Sequence, residues 1–364
     1  MAYDLAGICR EFQLASAFKS GIPYGSGHIN DTFKIDCAAG DEYILQRVNT
    51  AIFQQPEALM ENFRRVTAHI GAKIAALRAA DPACRRRTLQ LILSRDGKPF
   101  HRDAAGNFWR CYIFVGGART YDIMDSVEHA YQAARAFGAF QNDLADLPAP
   151  PLHETIPGFH HTPGRLANLK RAAAADKCGR LKEVSPEMEF VLKREAECSR
   201  LVDLESAGEI RTRITHNDTK LNNVLIDDET GEGICVIDLD TAMPGLPHYD
   251  FGDMVRTGTN PVAEDEKNLD LLEMRFDFFE ALLRGYLASA GAFLSPLEKS
   301  LLPFSGKLIT LEIGIRFLTD YLEGDVYFKI HRPEHNLDRC RTQFKLVDSI
   351  ERSFDAMRRL CDSL

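Results

Sequence analysis

Residues 213–240 read RITHNDTKLNNVLIDDETGEGICVIDLD. His216, Asp218 and Asn223 are spaced as HxDxxxxN, and the apolar run Ile234-Cys-Val-Ile237 leads straight into Asp238. The residue types suit phosphoryl transfer. A carboxylate beside an acceptor hydroxyl orients it and takes its proton, which assigns Asp218. An amide oxygen and a second carboxylate are hard ligands for Mg2+ against nucleotide phosphates, which assigns Asn223 and Asp238. His216 braces the catalytic loop. The alternative is a polar hairpin whose Asp and Asn only form turns. A lone HxD supports nothing; the full set, with a buried strand ending at an Asp, favours the chemistry.

Upstream, the chain reads as strands. Asp31–Cys37 alternates, Ala39-Gly-Asp41 turns, and Tyr43–Val48 follows. Pro56 opens a helix over 57–77, with Leu59, Phe63, Val66 and Ile70 on one face. Leu89–Leu93 and Phe108–Val115 are further strands, separated by turn residues. Gly116-Gly117 is a flexible point, and helices are predicted beyond it over 126–144, 162–175, 185–206, 264–290, 296–324 and 337–364. Thr162-Pro163 suits an N-cap and first helical position. The expected fold is α+β and bilobal: a small antiparallel-sheet lobe, 1–117, and a large mainly helical lobe, 118–364.

Tyr24-Gly-Ser-Gly-His-Ile-Asn30 is a glycine-rich turn between strands. Backbone amides of Gly25, Ser26 and Gly27 in such a turn suit nucleotide phosphates, although GxG alone is more often a hairpin. Arg47, rather than the adjacent Gln46, is the expected phosphate cation, with Glu57 or Glu61 as its acid. Two strings mislead. His101-Arg-Asp103 lies in a turn of the small lobe, with Phe108 where an Asn is needed. Asp250-Phe-Gly252 has no strand delivering it; Asp250 reads as a buried acceptor of backbone N–H groups, or as a helix N-cap. His160-His161 and Cys84–Arg87 read as solvated loops, and Glu264-Asp265-Glu266 as the first turn of a helix.

Lys and Arg total 44 against 53 Asp and Glu, a net charge of −9, which argues against a general nucleic-acid binder. The N-terminus carries Asp4, Arg10 and Glu11 and no apolar core, so no signal peptide is expected. No run of 18 apolar residues occurs, so no membrane span is expected. Nine scattered cysteines without a CxxC pair read as free thiols of a cytoplasmic protein. The expected partners are small molecules, and the expected state is a monomer.

The catalytic-loop order resembles that of the protein-kinase-like phosphotransferases. THNDTKLNN with IDLDTAMPG is similar to the aminoglycoside phosphotransferase/choline kinase superfamily. YGSGHIN, YILQRVNT, DFGD, LLPFSG, RFLTDYLEGDVYF and PEHNL resemble the bacterial N-acetylhexosamine 1-kinases, over residues 24–337. That resemblance implies ATP-dependent phosphorylation of N-acetylglucosamine or N-acetylgalactosamine at the anomeric hydroxyl. It implies Asp218 as base and Asn223 and Asp238 facing Mg2+. It places His28, Arg316 and Tyr327, with Asp218, against the sugar, and Phe114 and Val115 at the nucleotide. Phe114-Val-Gly-Gly117 departs from the bulkier hinge of that family. An arginine fork and single donors from Tyr and His suit a ring of hydroxyls, although Arg316 also reads as a helix-surface residue. Other readings are a kinase of another sugar, choline or an aminoglycoside, and a nucleotide-binding pseudokinase. The last is disfavoured because Asp218, Asn223 and Asp238 are all present.

Overall fold

A computed structural model describes residues 3–25, 29–77 and 82–364. Ser26, Gly27 and His28 lie outside the described residues. The chain forms two compact units: Met1–Arg119 with Asp143–Pro157 and Val224–Pro244, and Thr120–Asn142 with Gly158–Asn223 and Gly245–Leu364.

The first unit is built on a six-stranded sheet. Phe18–Pro23, Asp31–Cys37, Glu42–Val48 and Phe108–Ile113 pair in that order, all antiparallel. Leu91–Ile92 and His101–Arg102 both pair with Phe108–Ile113. Alternation sets the two faces. Ile35, Tyr43, Leu45, Trp109 and Cys111 pack with Ile8 and Phe12 on one side. The other side meets the helix Pro56–Leu77, whose Phe63 ring lies 5.9 Å from that of Tyr112. A smaller sheet joins Gly233–Val236, Val224–Asp227 and Ala118–Arg119. Gly117 is left-handed, at φ 68°, and its carbonyl is fixed by Asp228 N and Arg86 Nη1.

The second unit is helical: Val127–Asp143, Thr162–Ala175, Pro247–Gly258, Phe276–Ala290, Leu302–Glu323 and His335–Asp362. Leu302–Glu323 is buried along nearly its whole length and is the axis of the core. The helix Pro247–Gly258 crosses it closely. A Cβ on Gly252 would stand 2.5 Å from the Ser305 carbonyl oxygen, so only glycine fits there. The α+β expectation therefore holds, with antiparallel sheet early in the chain and helices later.

Several expected elements differ. The 185–206 helix breaks into Ser185–Leu192 and Arg200–Ser206, because Arg194 N turns tightly onto Val191 O. The helix expected at 264 begins at Phe276. Glu264 and Asp265 instead pair with Arg256 and Arg332, which holds the acid run as a loop. His161, not Thr162, caps the 162–175 helix, accepting Gly164 N–H on its ring nitrogen. The strand implied ahead of the glycine-rich segment is Phe18–Pro23, whose mixture of Lys, Ser, Gly and Pro hides its bounds in the sequence.

Candidate active site

The loop after the short strand Arg213–Thr215 carries the candidate base in the helical unit. Asn217 adopts a left-handed backbone, φ 66°, a conformation asparagine takes more readily than other residues with a side chain. Asp250 holds it there. The fully buried Asp250 carboxylate accepts Asn217 N–H at 2.7 Å on one oxygen, and His216 N–H at 2.9 Å and Gln141 Nε2 at 2.6 Å on the other. Burial raises the Asp250 pKa, while His216 and these donors pull it down. Asp250 sits in the first turn of Pro247–Gly258, so it does not cap a helix at 254.

One turn further on, Asp253 accepts Thr219 N–H at 2.9 Å and pairs with the buried Arg256 at 2.8 Å. The His216 ring is wedged edge-on against Phe137 and Phe140, at 5.3 and 5.9 Å. Its Nδ1 faces the Asp218 backbone N–H at 3.3 Å.

Asp218 is half-buried. Lys220 Nζ lies 2.8 Å from one carboxylate oxygen, and Asn223 Nδ2 lies 3.2 Å from the other. Burial works to raise the Asp218 pKa, but the charges of Lys220, His216 and Arg256 prevail and hold it below the ordinary carboxylate value. The carboxylate is therefore ionised at neutral pH and able to accept a proton. Asn223 Nδ2 also donates to Asp218 O at 2.7 Å. Its amide nitrogen is turned inward, which leaves the carbonyl oxygen as a hard donor suited to a divalent cation.

In the sheet unit, Asp238 ends the strand Gly233–Val236 after one residue, also with a left-handed backbone, φ 58°. Two residues on lies a buried network that sequence reasoning missed. Asp240 pairs with Arg110, almost wholly buried in the Phe108–Ile113 strand, and accepts Asn30 Nδ2 at 2.6 Å. Arg110 Nε donates to Gln46 at 2.9 Å. Asn30 Oδ1 takes Asn49 N–H at 3.0 Å, so the Asp240 network fixes the chain just after the glycine-rich turn.

This geometry corrects Arg47. Strand alternation sends Gln46 to the face of Arg110 and Asp240, and Arg47 to the opposite face. There Arg47 is tied to Asp31 at 2.5 Å and stands over the Tyr3 ring at 5.6 Å. Its acid is Asp31, neither Glu57 nor Glu61; Glu61 bonds His153 at 2.9 Å. The cation beside Asp240 is Arg110.

Gly25 has φ 82°, as a tight turn requires. Tyr24 meets the Phe114 ring edge-on at 5.5 Å, with Lys34 Nζ over that ring at 4.4 Å; Val115 follows, partly exposed. Asp103 is structural. It takes N–H groups from Ala105 and Asn107, Asn107 Nδ2, and Trp109 Nε1, each at 2.9 Å.

Arg316 and Tyr327 lie in the helical unit. Arg316 stands over Phe159 and Phe328, at 5.1 and 5.7 Å, and Tyr327 meets Phe328 edge-on. The loop bearing Tyr327 is pinned by the buried Asp320, which accepts the N–H groups of Val326, Tyr327 and Phe328 at 2.7–2.9 Å. His160 is no solvated residue. Buried at 4 % exposure, it bridges Glu312 at 2.8 Å and Asn217 O at 3.0 Å, a second support for the loop before Asp218. Among the described residues no cluster of three His, Cys, Asp or Glu forms a metal site. No helix of the described residues is long and apolar enough to cross a membrane.

The profile of the phosphotransferase enzyme family (APH) matches residues 20–292. The chain belongs to that family, and its activity class is that of a phosphotransferase. The fold is also that of solved relatives. An aminoglycoside phosphotransferase from Alicyclobacillus acidocaldarius is 13 % identical, with TM-score 0.60 over 100 % of this chain and 98 % of its own. A microcompartment-associated aminopropanol kinase is 17 % identical, with TM-score 0.56 over 97 % of each chain. An amicoumacin kinase solved with AMP-PNP and Ca2+ is 14 % identical, with TM-score 0.57 over 95 % of this chain and 94 % of its own.

Proposed function

We propose that this phosphotransferase transfers the γ-phosphoryl group of ATP to O1 of an N-acetylhexosamine, giving the sugar 1-phosphate. The observation that carries the reading is the ionised Asp218 on a loop clamped by Asp250, Asp253 and His160. Asp218 orients the sugar hydroxyl and takes its proton as the new O–P bond forms and the bond to the ADP oxygen breaks. An anomeric hydroxyl is more acidic than an ordinary alcohol, so one carboxylate suffices without a histidine relay. Positioning and charge stabilisation supply most of the rate.

Asn223 and Asp238 are the residues that would hold Mg2+, which neutralises phosphate charge when bound. Gly25, Ser26 and Gly27, with Phe114 and Val115, are proposed for the nucleotide in a lobe ending near 117. His28, Arg316 and Tyr327 are proposed for the sugar, in a cytoplasmic, monomeric enzyme. The solved amicoumacin kinase with AMP-PNP supports an adenine nucleotide as donor.

Coupled ADP release across N-acetylhexosamines, hexoses, choline and an aminoglycoside tests the reading. It expects turnover with N-acetylglucosamine or N-acetylgalactosamine, abolished in Asp218→Asn. Turnover confined to choline or the aminoglycoside would replace the sugar with a cationic acceptor.

A further inference from the structure

Two guanidinium groups meet around Phe159 in the helical unit, with one buried carboxylate, Glu312, near both. Arg165 stands in the first turns of Thr162–Ala175, and Arg316 in Leu302–Glu323. Arg165 Nη2 donates to Phe159 O at 2.7 Å, while its Nε is buried with no acceptor. Arg316 stands over the Phe159 ring. Among the described residues neither arginine forms an ion pair. The nearby carboxylate, Glu312, is already engaged on both oxygens, by His160 at 2.8 Å and Thr162 at 2.5 Å. Burial and the Arg316 charge weaken the hold of Arg165 on its proton, and Glu312 opposes them only in part. Phe159 precedes His160, which touches the carbonyl of Asn217, the neighbour of Asp218. The pair thus lies one residue from His160, the support of the loop before Asp218.

From this arrangement we infer that Arg165, with Arg316, is a specificity determinant that rejects ammonium-bearing acceptors and admits neutral ones. This rests on the sugar-kinase reading and deepens it. An ammonium group brought to the site meets two positive charges against a single buried carboxylate, Glu312, whose oxygens are already engaged, so repulsion prevails in this partly desolvated setting. The aromatic faces that would otherwise cradle an ammonium, Phe159 and Phe328, are already covered by the Arg316 cation. A neutral amide or hydroxyl meets no repulsion and takes N–H donors from the forks. Arg165 acts through charge and takes no part in the bond-breaking step.

The test compares N-acetylglucosamine with glucosamine, which differ by an acetamide against an ammonium, at a pH of about 6.5, below the amine range. kcat/KM is measured for both with the wild type, Arg165→Gln and Arg165→Lys. Arg165→Gln is expected to narrow the preference for the acetylated sugar by on the order of tenfold, and Arg165→Lys to keep it. An unmoved ratio in Arg165→Gln overturns the inference alone, as does an equal shift in Arg165→Lys, which would mark a structural role. If the wild type prefers glucosamine, choline or an aminoglycoside, both readings fall. If another neutral acceptor is the substrate, the sugar reading falls, and the same variants tested on that acceptor and its amino analogue decide the inference in the same way.

Discussion

Asp250 accepts the backbone N–H of Asn217 at 2.7 Å, and so fixes the one residue between His216 and Asp218 in a left-handed conformation. The same carboxylate also carries His216 N–H and the Gln141 amide. Asp250→Ala leaves three buried donors unpaired and frees the backbone at Asn217. A loss of about 3–5 kcal/mol is expected, read as a drop in the denaturant midpoint. A loss under about 1 kcal/mol would show that Asp250 does not hold the loop.

Lys220 sets the ionisation of Asp218. Burial alone would raise the Asp218 pKa; the charges of Lys220, 2.8 Å away and the largest of them, His216 and Arg256 reverse that. With Asp218 as the proposed base, the carboxylate form is the active one, so activity falls as pH drops through its pKa. Lys220→Met raises that pKa, and the acid limb of kcat/KM is expected to move to higher pH, with Lys220→Arg restoring it. An acid limb that stays in place in Lys220→Met would assign it to another group.

Asp320 gathers three consecutive backbone N–H groups around Tyr327 and also takes Asn336 Nδ2 at 2.8 Å. Asp320→Ala frees the loop. The KM for the acceptor is expected to rise several-fold while the KM for ATP stays put, because Tyr327, proposed for the sugar, lies on that loop and no residue proposed for the nucleotide does. Equal changes in both would mean general loosening of the unit.

His248 is fully buried, donates Nε2–H to Glu298 O at 2.9 Å, and has a second ring nitrogen without a partner. Burial lowers its pKa to about 4 from an ordinary 6.5. Below pH 6.5 the unfolded chain binds a proton that the folded chain refuses, so stability falls with pH until about 4. Between pH 7.5 and 5 the loss is about 2 kcal/mol. Unfolding curves at the two pH values are expected to differ by that amount in the wild type and by less in His248→Gln. An unchanged difference in His248→Gln would place the acid sensitivity elsewhere.

The strand Asp31–Cys37 is readable directly, because one face is apolar and its turn residues flank it. The HxDxxxxN loop is readable because its chemistry is local. What escapes the sequence is long-range pairing. Arg110 finds Asp240 across 130 residues, and nothing near either one announces it. The choice between Gln46 and Arg47 depends on which face of a strand turns inward, and composition favoured the charged neighbour although the pleat points it away. His160 looked solvated because its partners, Glu312 and Asn217, come from distant segments.

Phosphorus and proton NMR of the product tests the central claim most directly. With ATP, Mg2+ and N-acetylglucosamine or N-acetylgalactosamine, the account predicts a sugar phosphate whose phosphorus couples to the anomeric proton, and none with Asp218→Asn. Coupling to the hydroxymethyl protons, or no sugar phosphate from either sugar, would contradict it.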